Sequence, residues 1–296
     1  MNVALAGGTG FIGKVVLRKL IEAGHHVKAL IRPGSLLKIV KFSHMESSYV
    51  YYDSPSQLFK IVEGCGALIN LVGIIKETKD NTFDFAHHTI PLSLATAARD
   101  AGIKRFIQMS ALGVESDIET EYFESKRLGE MAVKNSNLDW TIFRPAVVFG
   151  PEDHLVNMLA KTLKWAPCFP VIGDGQYKFQ PVHVENVADG FVMALEKPET
   201  IGKTYEIAGP DIYTFDQMLE MIGQAGGKKH VRKIHMPLWI IKTAIKLFGR
   251  IMPGPLSMDT LKMMLAGSTS NDDTYFKTFD TTPITFREGI AQYLKK

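Results

Sequence analysis

The feature that most constrains this chain is a glycine turn between a short apolar run and a helical pattern. Residues 7–13 read Gly-Gly-Thr-Gly-Phe-Ile-Gly, with Gly7, Gly10 and Gly13 three apart. Ahead of the turn, Asn2–Ala6 reads as a buried strand. Behind it, Ile12–Ala23 has helical periodicity that Gly24 stops, and His26–Ile31 reads as a second strand. Each glycine has a task in such a unit. Gly7 permits a tight turn, Gly10 lets backbone N–H groups come close to an anion, and Gly13 lets the helix pack against the sheet with its positive end toward that anion. The combination predicts a dinucleotide diphosphate held by Gly7, Thr9, Gly10, Phe11, Ile12 and Gly13.

The end of the second strand bears on which dinucleotide. An acidic residue there hydrogen-bonds the ribose 2′-hydroxyl of NAD, whereas an arginine accommodates the 2′-phosphate of NADP. This chain has Arg32 and no Asp or Glu between Gly24 and Val40. The expectation is NADP(H), with NAD as the alternative. Asp53, after a third strand expected at Ser48–Tyr52, is placed at the adenine edge, and Leu71, Val72 and Gly73 close a fourth strand expected at Ala67–Val72 and line adenine and ribose.

Further strands are expected at Arg105–Ser110, Trp140–Val148 and Thr204–Ala208. Helices are expected at Pro91–Ala101, Tyr122–Asn135, Thr214–Gly223, Leu238–Arg250 and Met258–Leu265. Apolar strands alternating with helices predict an α/β fold: a Rossmann-type, doubly wound parallel sheet with a smaller C-terminal lobe. Residues 1–150 are expected to form the dinucleotide-binding domain, with 204–209 rejoining its sheet, and 151–296 the smaller substrate or partner lobe. A chain of 296 residues, 46% hydrophobic, can bury its core without disulfides. Its net charge of +3 lacks the dense basic stripe of a nucleic-acid binder, so no nucleic-acid partner is expected. The adjacent pairs His25-His26 and His87-His88 lack metal-ligand spacing, so no metal is expected. Two cysteines, no signal-peptide pattern and no apolar run near ~20 residues point to a cytoplasmic protein, membrane-peripheral at most.

Tyr122-Phe123-Glu124-Ser125-Lys126 places a tyrosine and a lysine one turn apart on one helix face. A neighbouring ammonium lowers a phenol's pKa, and such a tyrosine exchanges a proton with a carbonyl or alcohol while hydride moves at a nicotinamide. Tyr122 is therefore the expected acid/base, Lys126 its support and ribose anchor, and Ser110, closing the fifth strand, an orienter of the carbonyl.

Together these residues resemble the extended or atypical branch of the short-chain dehydrogenase/reductase superfamily. More narrowly, they resemble the nucleotide-binding accessory subunits of respiratory complex I and their bacterial relatives. The resemblance rests on Ala-Gly-Gly-Thr-Gly-Phe-Ile-Gly at 6–13, Ile-Lys-Arg-Phe-Ile-Gln-Met-Ser-Ala-Leu-Gly at 103–113 and Tyr122, Ser125, Lys126, Gly129 and Glu130. It continues through Phe143-Arg144-Pro145, Phe149-Gly150-Pro151-Glu152-Asp153 and Gln180-Pro181-Val182-His183-Val184. It implies a lobe closing over the nicotinamide end and a contact from Pro145 to the nicotinamide. It also exposes two departures. The resemblance leaves open an alignment of the usual serine with Ala111 rather than with Ser110, and the supporting asparagine is replaced by His87 or His88. Two functions stay open: an NADP-linked oxidoreductase or epimerase acting on an unidentified small carbonyl or alcohol, and a non-catalytic NADPH-binding subunit or redox sensor of a membrane-associated complex.

Between Met221 and Met258 there is no acidic residue, while Lys228, Lys229, Arg232, Lys233, Lys242, Lys246 and Arg250 fall inside. The helix expected over 238–250 has an apolar face with Trp239, Ile241, Ile245 and Phe248. Core packing with solvated lysines is the leading expectation for it, and contact with an anionic membrane or a protein complex is the alternative.

Overall fold

The computed structural model describes residues 1–33, 43–248 and 257–294. The chain opens with β1 (Asn2–Ala6), α1 (Phe11–Glu22), β2 (His26–Ile31), β3 (Met45–Tyr49), α2 (Pro55–Val62) and β4 (Ala67–Asn70). A π-helical turn over Phe85–Thr89 runs into α3 (Ile90–Asp100), followed by β5 (Arg105–Met109), α4 (Glu121–Lys134) and β6 (Asp139–Pro145). Next come β7 (Val148–Phe149), α5 (Leu155–Trp165), β8 (Phe169–Ile172), β9 (Lys178–Phe179), β10 (Val182–His183) and α6 (Val184–Met193). The remainder supplies β11 (Lys203–Ile207), β12 (Tyr213–Thr214), α7 (Phe215–Ala225), β13 (Lys233–Met236) and α8 (Leu238–Phe248). Three further helices follow: α9 (Met258–Ala266), α10 (Thr274–Phe279) and α11 (Phe286–Tyr293).

Seven strands form one parallel sheet in the order β11-β6-β5-β4-β1-β2-β3, the doubly wound α/β fold that the sequence predicts. Successive residues of β1 face opposite sides, and Val3, Ala4, Leu5 and Ala6 are all fully buried, so both faces of the sheet are covered. Ala4 and Ala6 join Leu58, Leu94, Ala98 and Val133 from α2, α3 and α4. The other face meets α1, which packs on α6. At the rim of that helix pair Arg18 reaches Glu185 at 2.7 Å and Lys19 reaches Asp189 at 2.6 Å. The strand order reverses at β1, with β2 on one side and β4 on the other. In open parallel sheets that reversal opens a crevice at the carboxyl ends of the strands, where ligands bind.

Arg105 holds the opposite ends of β5, β6 and the segment before β11. Its guanidinium donates to the carbonyls of Ala194 and Asp139 and to the hydroxyls of Thr141 and Thr200. Two expectations shift. β3 forms three residues earlier than the apolar run at Ser48–Tyr52 suggests, because it is an edge strand whose exposed residues pair with β2, while Val50 and Tyr52 bury themselves in the following loop. Helix α6 is absent from the expectation, which places no helix between Asn135 and Thr214.

Two compact units interleave along the chain rather than dividing near residue 150. Met1–Pro145, Val184–Ile207 and Asp272–Thr281 make the sheet unit. The described residues of 146–183, 208–271 and 282–294 make the second. This second unit pairs β7 with β10, β8 with β13 and β9 with β12, and packs α5, α7 and α11 around Phe149, Leu159, Phe215, Leu219 and Phe286. Asp153 organises its first loop by accepting from the Gly150 and Val156 amides and the Tyr293 hydroxyl.

Candidate functional site

β1 ends at Ala6 and the chain turns at Gly7, whose φ of +83° is left-handed backbone that glycine tolerates. A Cβ there would also lie 2.8 Å from the Leu71 carbonyl carbon. The Gly10 amide donates back to the Gly7 carbonyl at 3.1 Å, and α1 begins at the next residue. Gly13 sits so tightly on this turn that a Cβ would run into the Gly7 carbonyl and lie 2.8 Å from the Gly8 Cα. The first bond of the helix runs from Lys14 N–H to the Gly10 carbonyl at 3.0 Å. The amides of Phe11, Ile12 and Gly13 therefore precede the ladder and have no acceptor among the described residues. The first turn of α1 has no acidic residue and no side-chain cap. Thr9, Phe11 and Ile12 are half-buried around it.

β4 closes the other wall. The Leu71 amide donates to the Ala6 carbonyl at 2.9 Å, continuing the β1–β4 pairing past the strands. Buried Asn70 donates to Gln108 at 2.9 Å and accepts from the Val72 amide at 3.0 Å, fixing the loop that carries Leu71, Val72 and Gly73. Arg32 is exposed directly after β2 and has no hydrogen-bond or ion-pair partner among the described residues, while Asp53 is exposed before α2.

At the far end of the crevice Thr120 caps α4 by accepting from the Phe123 amide at 3.2 Å. Tyr122 and Lys126 share one face as expected, with the Lys126 nitrogen 5.9 Å from the Tyr122 ring centroid. Lys126 is buried at 4% exposure, and a Cβ on Gly73 would lie 3.2 Å from its Nζ. No hydrogen-bond acceptor for that ammonium lies among the described residues. Burial pushes it down to about 8, against the pull of Glu130. The tyrosine departs from expectation: burial pushes Tyr122 up to about 12, so desolvation outweighs any help from Lys126. Phe83, His87 and Phe123 pack on its ring at centroid distances of 5.7, 5.1 and 5.5 Å.

Of the two histidines offered for the supporting position, His87 is the one that faces the site. The Ile74 amide donates to His87 Nε2 at 3.0 Å, which leaves Nδ1 to carry the proton and donate to Ser125 Oγ at 2.9 Å. Ser125 in turn donates to the Tyr122 carbonyl at 2.8 Å. Burial, then the nearby Lys126 charge, pushes His87 down to about 2, so the ring stays neutral. His88 instead pairs with Asp84 at the surface.

The Ser110 amide continues the β5–β6 pairing by donating to the Phe143 carbonyl at 2.7 Å. Its hydroxyl oxygen is buried and makes no hydrogen bond among the described residues, to Tyr122 and Lys126 included. The buried carboxylate of Glu130 is bound by Arg144 with two bonds of 2.8 and 2.6 Å, and Arg144 also reaches Glu115. Burial opposes the charge on Glu130, but the Arg144 hydrogen bonds prevail and hold it below the usual carboxylate range. Nothing in the sequence spacing of 115, 130 and 144 advertises this cluster, since each residue comes from a different element. Pro145, buried at the end of β6, accepts from the Leu112 amide at 2.9 Å and stands opposite Ala111.

These residues fit a dinucleotide on two counts: a turn where Gly7 and Gly13 leave no room for side chains before unpaired amides, and a buried ammonium lacking an acceptor. The comparisons agree. The NAD dependent epimerase/dehydratase family matches residues 3–208. NADH dehydrogenase (ubiquinone) 1 alpha subcomplex subunit 9, mitochondrial, of Arabidopsis thaliana is 32% identical over 223 residues, 73% of this chain and 56% of that one. The chain thus spans little more than half of that relative's length. Ceramide reductase of Caulobacter vibrioides is 27% identical over 235 residues, 79% of this chain and 73% of that one. The solved UDP-glucose 4-epimerase of Thermotoga maritima shares the fold, with a TM-score of 0.79 at 18% identity over 100% of this chain and 98% of that one. By its matched core and its glycine turn, the chain belongs to the NAD dependent epimerase/dehydratase family, the extended short-chain dehydrogenases/reductases, and is an NAD(P)-binding protein.

Proposed function

We propose that this protein is an NADPH-dependent reductase of a small carbonyl compound, with Tyr122 as the proton donor. The observation that carries the reading is Lys126, a buried ammonium without an acceptor set between the Gly73 backbone and the Tyr122 ring. A charge left unsatisfied in that position costs stability unless something binds it, and the ribose hydroxyls of a nicotinamide nucleotide are the acceptors that suit it. NADPH, when bound, supplies the hydride to the carbonyl carbon. Tyr122 gives its proton to the carbonyl oxygen, Lys126 stabilises the phenolate that remains, and solvent restores the proton. A phenol held protonated suits reduction better than oxidation. Gly7, Thr9, Gly10, Phe11, Ile12 and Gly13 hold the diphosphate, Arg32 the 2′-phosphate, Asp53 the adenine edge, Leu71, Val72 and Gly73 the adenosine, and Pro145 the nicotinamide.

A specific observation favours the second reading, a cofactor-binding subunit without turnover: His87, locked to Ile74 and Ser125, stands against the Tyr122 ring where the family resemblance implies an asparagine. The name of the Arabidopsis relative points the same way. Tyr122→Phe separates the two. With aldehydes and ketones offered and NADPH oxidation followed optically, the reductase reading expects turnover that falls about 100-fold or more in the variant while NADPH affinity holds. Tight NADPH binding with no carbonyl turned over by the unaltered protein sinks it.

A further inference from the structure

Helix α8, in the second unit, was expected chiefly as a core helix, but most of it faces outward. Among its described side chains only Ile241 is buried, with Leu238, Ile240 and Ile245 half-buried behind it. Trp239 is 69% exposed and Leu247 64% exposed. At 100° per residue, Trp239, Thr243 and Leu247 form one outward row, and Lys242 and Lys246 form the row beside it. An indole and a leucine displayed together on one helix, next to two lysines, is a costly arrangement in water.

The charge of the segment that carries this face is equally one-sided. Residues 222–257 contain seven Lys or Arg and no Asp or Glu, whereas the rest of the chain, from totals of 34 basic and 31 acidic residues, carries a net charge of −4. Some of the seven are spent internally. Lys228 donates to the Ala166 carbonyl at 2.9 Å, and Lys233 lies 3.7 Å from Asp216. Lys229, Arg232, Lys242 and Lys246 are exposed and have no acidic partner among the described residues.

We propose that the outward face of α8 docks this protein on an anionic lipid bilayer. Lys242 and Lys246 meet the headgroup charge while Trp239 and Leu247 enter the boundary of the acyl chains, a region that suits an indole with its apolar body and polar N–H. A polyanion such as nucleic acid would satisfy the lysines and leave the indole and leucine in water. No described helix is long and apolar enough to cross a membrane. The 11 residues of α8 cover ~16 Å against a hydrocarbon thickness of ~30 Å, so the helix lies along the surface.

The test is co-sedimentation of the full chain with vesicles of equal parts phosphatidylglycerol and phosphatidylcholine, compared with phosphatidylcholine alone. Binding is expected to the anionic vesicles, to weaken with salt, and to fall by about tenfold or more in Lys242→Glu/Lys246→Glu and in Trp239→Ser/Leu247→Ser. Unchanged NADPH affinity and melting temperature show that these variants remain folded. In a Trp140→Phe/Trp165→Phe background, or in the unaltered chain if that background melts early, indole emission shifts to the blue and is quenched by brominated acyl chains. Failure to bind anionic vesicles overturns the proposal, as does binding indifferent to both double variants. Self-association or capture by a protein partner that depends on α8, without vesicle binding, overturns it in favour of a protein interface.

Discussion

Where β1 gives way to α1 the crevice is made of backbone: a left-handed Gly7, a helix start with idle amides, and a Gly13 with no space for a methyl group. Where β5 gives way to α4 it is made of side chains, each depending on a partner from another element. Glu130 is held by Arg144, His87 is locked to Ile74 and Ser125, and half-buried Tyr122 packs among aromatic rings. The backbone end resembles what any diphosphate needs. The side-chain end rests on contacts that the backbone end does not share, so cofactor binding and chemistry are separable properties.

The harshest way to break the backbone end is Gly13→Val. Its side chain would collide with main-chain atoms that cannot yield, so melting should fall sharply, by about 3 kcal/mol or more of stability, with NADPH binding lost in titration. Gly10→Ala sharpens the point. A Cβ there meets only the Gly7 carbonyl, at 3.4 Å, so the protein should melt normally while NADPH binds about tenfold more weakly.

Glu130→Ala tests the side-chain end. It strands Arg144 in a buried position with Glu115 alone, and a loss of about 3–5 kcal/mol is expected by denaturant titration. The pH dependence has a definite sign. Glu130 is held below its ordinary 4.5, so its contribution is complete above that value and is lost as pH falls through the lower folded one. The unaltered protein should therefore lose stability in that acid window, and the variant should show a flatter acid limb.

Lys126→Met comes next. The lysine stands at about 8 instead of 10.5, so its burial cost is fully present below pH 8 and is relieved as pH rises toward 10.5. NADPH affinity should decline as pH rises through about 8 in the unaltered protein and lose that dependence in Lys126→Met, as read by fluorescence titration. The smallest effect belongs to Arg32→Ala, expected to cut NADPH affinity about tenfold with little change for NADH. Equal loss for both nucleotides would remove Arg32 from the 2′-phosphate.

The same contrast explains what was legible in the sequence. β2 forms over the residues expected, and β1 likewise, because short apolar runs bounded by glycine and polar residues leave few alternatives. The edge strand β3 slid because edge residues are not apolar, and apolar periodicity was the signal followed. Helix α6 was missed although Val184, Val187, Ala188 and Phe191 recur at helical spacing. The glycine turn could be read from one window. The pairing of Glu130 with Arg144 could not, since it joins a helix residue to a strand residue that no local spacing relates. Gly249 and Arg250, the last residues of the helix expected over 238–250, lie outside the described residues.

The interleaving of the two units has a consequence during synthesis. On the ribosome the first six sheet strands emerge in order, yet β11, which covers the open side of β6, and α6, which covers α1, arrive only after the 38 residues of 146–183 have been made. Helix α10, which packs on β11 and α6, appears later still. A nascent chain must therefore hold an unpaired strand edge and a bare helix face while a different unit is being translated through the gap. Cutting the gene after residue 150 would make that transient exposure permanent.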